Sequence, residues 1–168
     1  MMTPSHLLAT LLIGLVWTRV RPWSRHDWAM AVGFGVVIDF DHLTRFPAYL
    51  VANGVDGLQA GQMSGWGAAW QGAFHTPWAL AVVVPAALFW RTWVPLAFWA
   101  LHMLQDFVIA TKFVVFGSTT EWLIIASLAT LLVGVLAWGH RDAPRGDSFR
   151  DHVTRTFGFT PQRAPRSG

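Results

Sequence analysis

Apolar residues gather into five runs along the chain: Leu7 to Trp17, Trp28 to Phe40, Pro77 to Trp90, Trp93 to Ala110 and Glu121 to Gly139. Their length predicts helices and an all-α protein. Several fall short of the roughly 20 residues that cross about 30 Å of hydrocarbon at 1.5 Å per residue. Length alone would therefore also suit buried helices in a soluble fold. Two features favour a polytopic membrane bundle of about five spans.

The first is the placement of basic residues. If the chain crosses at each run, Arg19, Arg21, Arg25, Arg91, Arg141, Arg145, Arg150, Arg155, Arg163 and Arg166 share one side, against Arg45 and Lys112 on the other. The positive-inside rule then puts the N-terminus outside and the C-terminus in the cytoplasm. The second is tryptophan. Ten of the eleven Trp residues fall beside a predicted membrane boundary, as an aromatic belt requires.

Composition agrees. Hydrophobic residues are 54% and charged residues 12%, against about 25% charged in soluble domains, and the mean hydropathy is +0.41. Disorder and an ordinary soluble fold are both disfavoured, and 168 residues allow one compact domain. The pI near 10.6 does not point to nucleic acid, because the arginines sit between apolar runs and in the tail rather than on a polar, aromatic face. With no Cys there is no disulfide, thiolate metal site or Cys nucleophile. Residues 1–140 are expected to form the transmembrane metal-site domain, with 141–168 a basic, poorly ordered cytoplasmic tail or a segment lying on lipid headgroups.

Local signals mark the helix ends. The N-terminal stretch lacks the basic region and small-residue cleavage site of a signal peptide and is expected to be retained. Thr76-Pro77 reads as a cap followed by Pro at the first helical position, and Ser118 to Glu121 as a capping box, which makes Glu121 a cap rather than a catalytic acid. The glycine-rich stretch Asn53 to Gly67 is expected to be a flexible outer loop.

Seven ionisable residues lie in or beside the apolar runs: His6, Asp39, Asp41, His42, His75, His102 and Asp106. Such groups are costly in hydrocarbon unless paired, metal-bound or solvated. On the topology drawn from Arg and Trp alone, all seven reach the outer end of the bundle. His102 and Asp106, four apart, share a helical face. A single His in an apolar run is usually a hydrogen-bonded core residue. Four His and three Asp gathered at one end favour a metal site, and their number suits two ions with positions left for water. Oxygen and imidazole ligands without thiolate allow zinc, manganese, iron or magnesium. His26, His140 and His152 fall at the other end. Ser64 does not complete a serine-protease motif, and no H-E-x-x-H occurs.

Four blocks carry a family resemblance: Thr3-Pro-Ser-His6, Val37-Ile-Asp39-Phe-Asp41-His42, Gly72-Ala-Phe-His75-Thr-Pro and Leu101-His102-Met-Leu-Gln-Asp106. Together they resemble the membrane-bound, metal-dependent hydrolases whose bacterial members include the LexA-regulated inner-membrane protein. Ile38 stands where that family usually has Pro, Gln71 where it has Arg, and Ser5 immediately before His6. The H-x-x-x-D block is also similar to zinc-dependent phospholipase C. The resemblance implies a metal-dependent hydrolase of the prokaryotic cytoplasmic membrane, with zinc favoured, acting on a phosphoester of a lipid or lipid-linked substrate.

All seven residues are expected metal ligands, and Asp39 or Asp41 the general base. The alternatives are a non-catalytic protein that binds or transports metal, and a structural membrane subunit with a proton-sensing His cluster.

Overall fold

A computed structural model of the chain describes residues 3–58, 72–110 and 118–159, and every regular element among them is helical. Seven α-helices occur among them: α1 Thr3–Thr18, α2 Arg25–Gly35, α3 Phe46–Asn53, α4 Leu80–Phe89, α5 Val94–Leu104, α6 Thr119–Arg141 and α7 Phe149–Thr156. α2 packs on α5, α1 on both α6 and α2, and α4 on α5. The main apolar cluster joins Leu15 of α1, Trp28 and Ala31 of α2, Val94 and Phe98 of α5, Leu136 of α6 and the connecting Trp23. Trp23 crosses Trp28 edge-to-face, with ring centroids 4.8 Å apart, the arrangement that ring quadrupoles favour.

The five apolar runs do not become five full-length helices. Among the described residues, α6 alone is long and apolar enough to cross a membrane. Its 23 residues extend roughly 34 Å at 1.5 Å per residue, and only Glu121 and Leu136 of it are buried. α1 is apolar but shorter.

The second and fourth runs also change geometry partway. α2 ends at Val36, whose φ of −141° leaves the α region, and the chain continues as a 3₁₀ helix over Val37–Arg45. α5 passes at Gln105 into a π-helical turn, Gln105–Ala110. Both departures fall on chemistry-bearing residues.

The helix-end signals are met in part. Ser118 Oγ accepts from the Glu121 N–H at 3.3 Å, and the Glu121 side chain is itself fully buried. Pro77 opens a short 3₁₀ turn as expected, but the Thr76 hydroxyl donates back to the Ala73 carbonyl instead of capping it. The glycine-rich stretch is described only as far as a 3₁₀ turn at Val55–Leu58. Ser64, Gln71, Lys112, Arg163 and Arg166 lie outside the described residues.

Part of the tail is helical, as α7. The helix is capped by Ser148 and Asp151 and held to α2 by a bond from Trp28 Nε1 to the Thr156 carbonyl, 3.1 Å. Val153 and Phe157 pack against the apolar cluster, and that burial offsets the entropy of ordering a polar segment.

Candidate metal centre

The local geometry of three segments brings the candidate ligands together. In the 3₁₀ helix, residues three apart lie above one another, so Asp39 and His42 share a face, 3.9 Å between Oδ1 and Nε2. His102 near the end of α5 and Asp106 in the π-helical turn that follows are four residues apart and meet at 3.2 Å. The π-helical turn gives adjacent residues a common target. Gln105 Oε1 lies 2.5 Å from His6 Nδ1, while Asp106 Oδ1 lies 3.0 Å from the Nε2 of the same ring.

Each of three buried imidazoles is held by its Nδ1. His6 Nδ1 donates to Gln105 Oε1 and His102 Nδ1 to the Gly35 carbonyl at 3.0 Å. His75 Nδ1 donates to Asp41, 3.1 Å from Oδ1 and 3.2 Å from Oδ2. An imidazole that donates through one nitrogen presents the lone pair of the other.

The three Nε2 atoms converge on Asp39 and Asp106. His102 Nε2 is 3.2 Å from an oxygen of each, and His75 Nε2 is 3.3 Å from Asp106 and 3.7 Å from Asp39. His75 Nε2 and His102 Nε2 face each other at 2.8 Å. His6 Nε2 is buried, and its approach to Asp106 lacks the geometry of a hydrogen bond. Lone pairs and carboxylate oxygens at these separations repel unless positive charge lies among them.

The same field acts on His75. Burial opposes charge on its ring, but the carboxylates of Asp106, Asp39 and Asp41 outweigh burial and push its pKa up to about 10.

Two groups result, His6 with Asp39, His102 and Asp106, and His42 with Asp39, His75 and Asp106. Within each group the ligand atoms lie within 4.8 Å of one another, so either could hold a metal ion. The groups share Asp39 and Asp106, so either carboxylate could serve in both. An orphaned buried nitrogen, convergent imidazole and carboxylate donors, and the lack of thiolate all fit a divalent cation.

Six of the seven expected ligands thus stand around one centre. Asp41 stands behind it: Oδ2 accepts from the Phe74 N–H at 2.9 Å and from His75 Nδ1 at 3.2 Å, so it orients the His75 ring. Gly72 permits this, since a Cβ there would overlap the Asp41 carboxylate.

Gln105, the Gly35 carbonyl and Gly72 were not legible as site groups. Gln105 lies inside the H-x-x-x-D block, and its place beside Asp106 is the only sequence signal that could have marked it. His26 is exposed, and His140 pairs with His152 at the far end of α6, ring centroids 5.6 Å apart. Comparison of the chain with protein-family models, curated proteins and solved structures finds no match.

Proposed function

We propose that this chain is an integral membrane hydrolase that uses one or two divalent cations, zinc favoured, to cleave a phosphoester of a lipid or lipid-linked substrate. The observation that carries this reading is the convergence of three buried Nε2 atoms on two carboxylates while every Nδ1 is tied elsewhere. Four blocks resembling one hydrolase family meet at that point. A bound divalent cation supplies Lewis acidity there, acidifying water and polarising a phosphoryl oxygen.

The chain's own residues divide the remaining work. His6, His42, His75, His102, Asp39 and Asp106 hold the cation, and Gln105, the Gly35 carbonyl and Asp41 fix the imidazole tautomers. Asp39 also serves as the base, ahead of Asp41, whose Oδ2 accepts from the Phe74 N–H and His75 Nδ1 and whose Oδ1 is buried without a hydrogen-bond partner. Five crossings with the N-terminus outside put this centre at the outer headgroup level. In support, His6 opens α1 while Arg19 follows its other end, so the cluster and the arginines occupy opposite ends of the helix.

The test is hydrolysis of a panel of lipid phosphoesters by wild type reconstituted in nanodiscs and loaded in turn with zinc, manganese, iron or magnesium. His102→Ala/Asp106→Ala serves as the inactive reference. Turnover above that reference supports the reading. Asp39→Asn should then fall by roughly 10²- to 10⁴-fold if it moves the proton. Retained metal with no turnover above the reference in any loading overturns the hydrolase in favour of a metal-binding or metal-transport protein.

A further inference from the structure

The end of the bundle remote from His6 is built differently from the His/Asp cluster. Arg19 follows the last turn of α1, roughly 20 Å from His6 at about 1.5 Å per residue. A cavity of about 280 Å³ opens there between α1, α6 and α7. Leu15, Val135 and the Trp23 indole form apolar wall, and Arg19, His152 and Arg155 form basic wall.

Most polar groups of this wall are matched: the Thr18 and Thr156 hydroxyls donate to the Leu15 and His152 carbonyls. Arg155 is paired with Asp147, but Arg19 has no ion-pair partner among the described residues. Trp23 is buried, 8% exposed, and its Nε1–H finds no acceptor. The neighbouring His140 Nδ1 is likewise buried without a partner. The charge that the cavity leaves unmatched is therefore that of the exposed Arg19, which would attract an anion.

Helix-end carbonyls do not explain the cations. The Val16 carbonyl accepts from the Arg19 N–H, Trp17 from Val20 and Arg21, and Gly139 and His140 from Asp142 and Ala143. Thr156 accepts from Trp28. The guanidinium of Arg19 is therefore free of that duty.

We propose that this cavity binds a phosphate group, held by Arg19 and His152, with Leu15 and Val135 receiving the first carbons of an attached apolar portion. The mixed wall fits a phospholipid headgroup better than inorganic phosphate, because part of the lining offers phosphate nothing. Uncompensated positive charge in the cavity has a second sign. Burial, then the charges of His140, Arg155 and Arg19, lower the His152 pKa, and Asp147 offsets them only in part. A bound phosphate would reverse that shift.

The test uses the full chain in phosphatidylcholine nanodiscs, titrated with short-chain phosphatidic acid in one arm and inorganic phosphate in the other. Binding is read by calorimetry and by the NMR titration of the His152 ring. The expected result is saturable binding of phosphatidic acid with a rise in the His152 pKa. Arg19→Gln should weaken binding about 10-fold or more. Arg141→Gln, whose side chain lies over the Trp138 ring outside the cavity, should stay within about twofold. Displacement by inorganic phosphate would identify free phosphate as the source, and saturation by phosphatidic acid alone would identify the lipid.

Equal losses in the two Gln variants would show diffuse surface attraction and overturn the proposal. So would a His152 titration in wild type that neither probe moves, a readout that no folding defect of a variant can affect.

Discussion

Replacing Asp41 by Asn tests whether this carboxylate orients a ligand or is one. Its oxygens lie 3.1 and 3.2 Å from His75 Nδ1, and one of them also accepts from the Phe74 N–H at 2.9 Å. An Asn side chain keeps one acceptor for those two donors but loses the charge that makes the His75 Nε2 a stronger ligand. Its amide NH₂ then replaces the oxygen 3.1 Å from the His75 Nδ1–H, setting donor against donor. Loss of such an outer partner costs about 10- to 100-fold in metal affinity, or about 1.4–2.8 kcal/mol. His102→Ala removes a nitrogen that approaches both central carboxylates and should cost more. The assay is competition with a chromophoric chelator, with bound metal measured by mass spectrometry. Two results refute the reasoning: an Asn variant with wild-type affinity, or one that loses metal as completely as His102→Ala.

Three further outcomes are expected. Gly35→Ala places a Cβ 2.5 Å from Thr10 Oγ1 and should destabilise the fold by about 1–3 kcal/mol. Adding Thr10→Ala should restore part of that loss in a double-mutant cycle, and strict additivity in thermal melts would contradict the contact. The lowered His152 pKa means that the unfolded chain binds more protons there, so the contribution of α7 docking should weaken as pH falls below about 6.5. Protection factors of the α7 amides, taken against the intrinsic rate at each pH, should then fall on acidification in wild type but less in His152→Gln, and protection that rises at low pH would reverse the sign. For topology, a reporter fused after Gly168 should behave as cytoplasmic and one inserted at Gly61 as external, while inverted labelling would overturn the orientation.

The all-α class and the membership of the polar cluster were legible in the sequence for a local reason. Apolar runs of helical length and the four-residue spacing of His102 and Asp106 are properties of single segments, and the regular period of an α-helix carries them directly into space. The cost of embedded charge marked His6, Asp39, His42 and His75 without any knowledge of their contacts. Division of labour within the cluster was not legible. Asp39 and Asp41 are chemically identical and two residues apart, and the break into 3₁₀ geometry after Val36 sets one among the imidazoles and the other against Phe74 and His75. The π-helical turn likewise aims Gln105 and Asp106 at the same ring, where a regular α-helix would separate adjacent side chains by about 100°. The docking of α7 also escaped a reading based on composition, because its polar sequence is offset by Val153 and Phe157 meeting a surface supplied by distant helices. Segment identity therefore followed from local period and the cost of burying charge. The role of each residue within the site was decided by departures from that period, which only packing between segments can select.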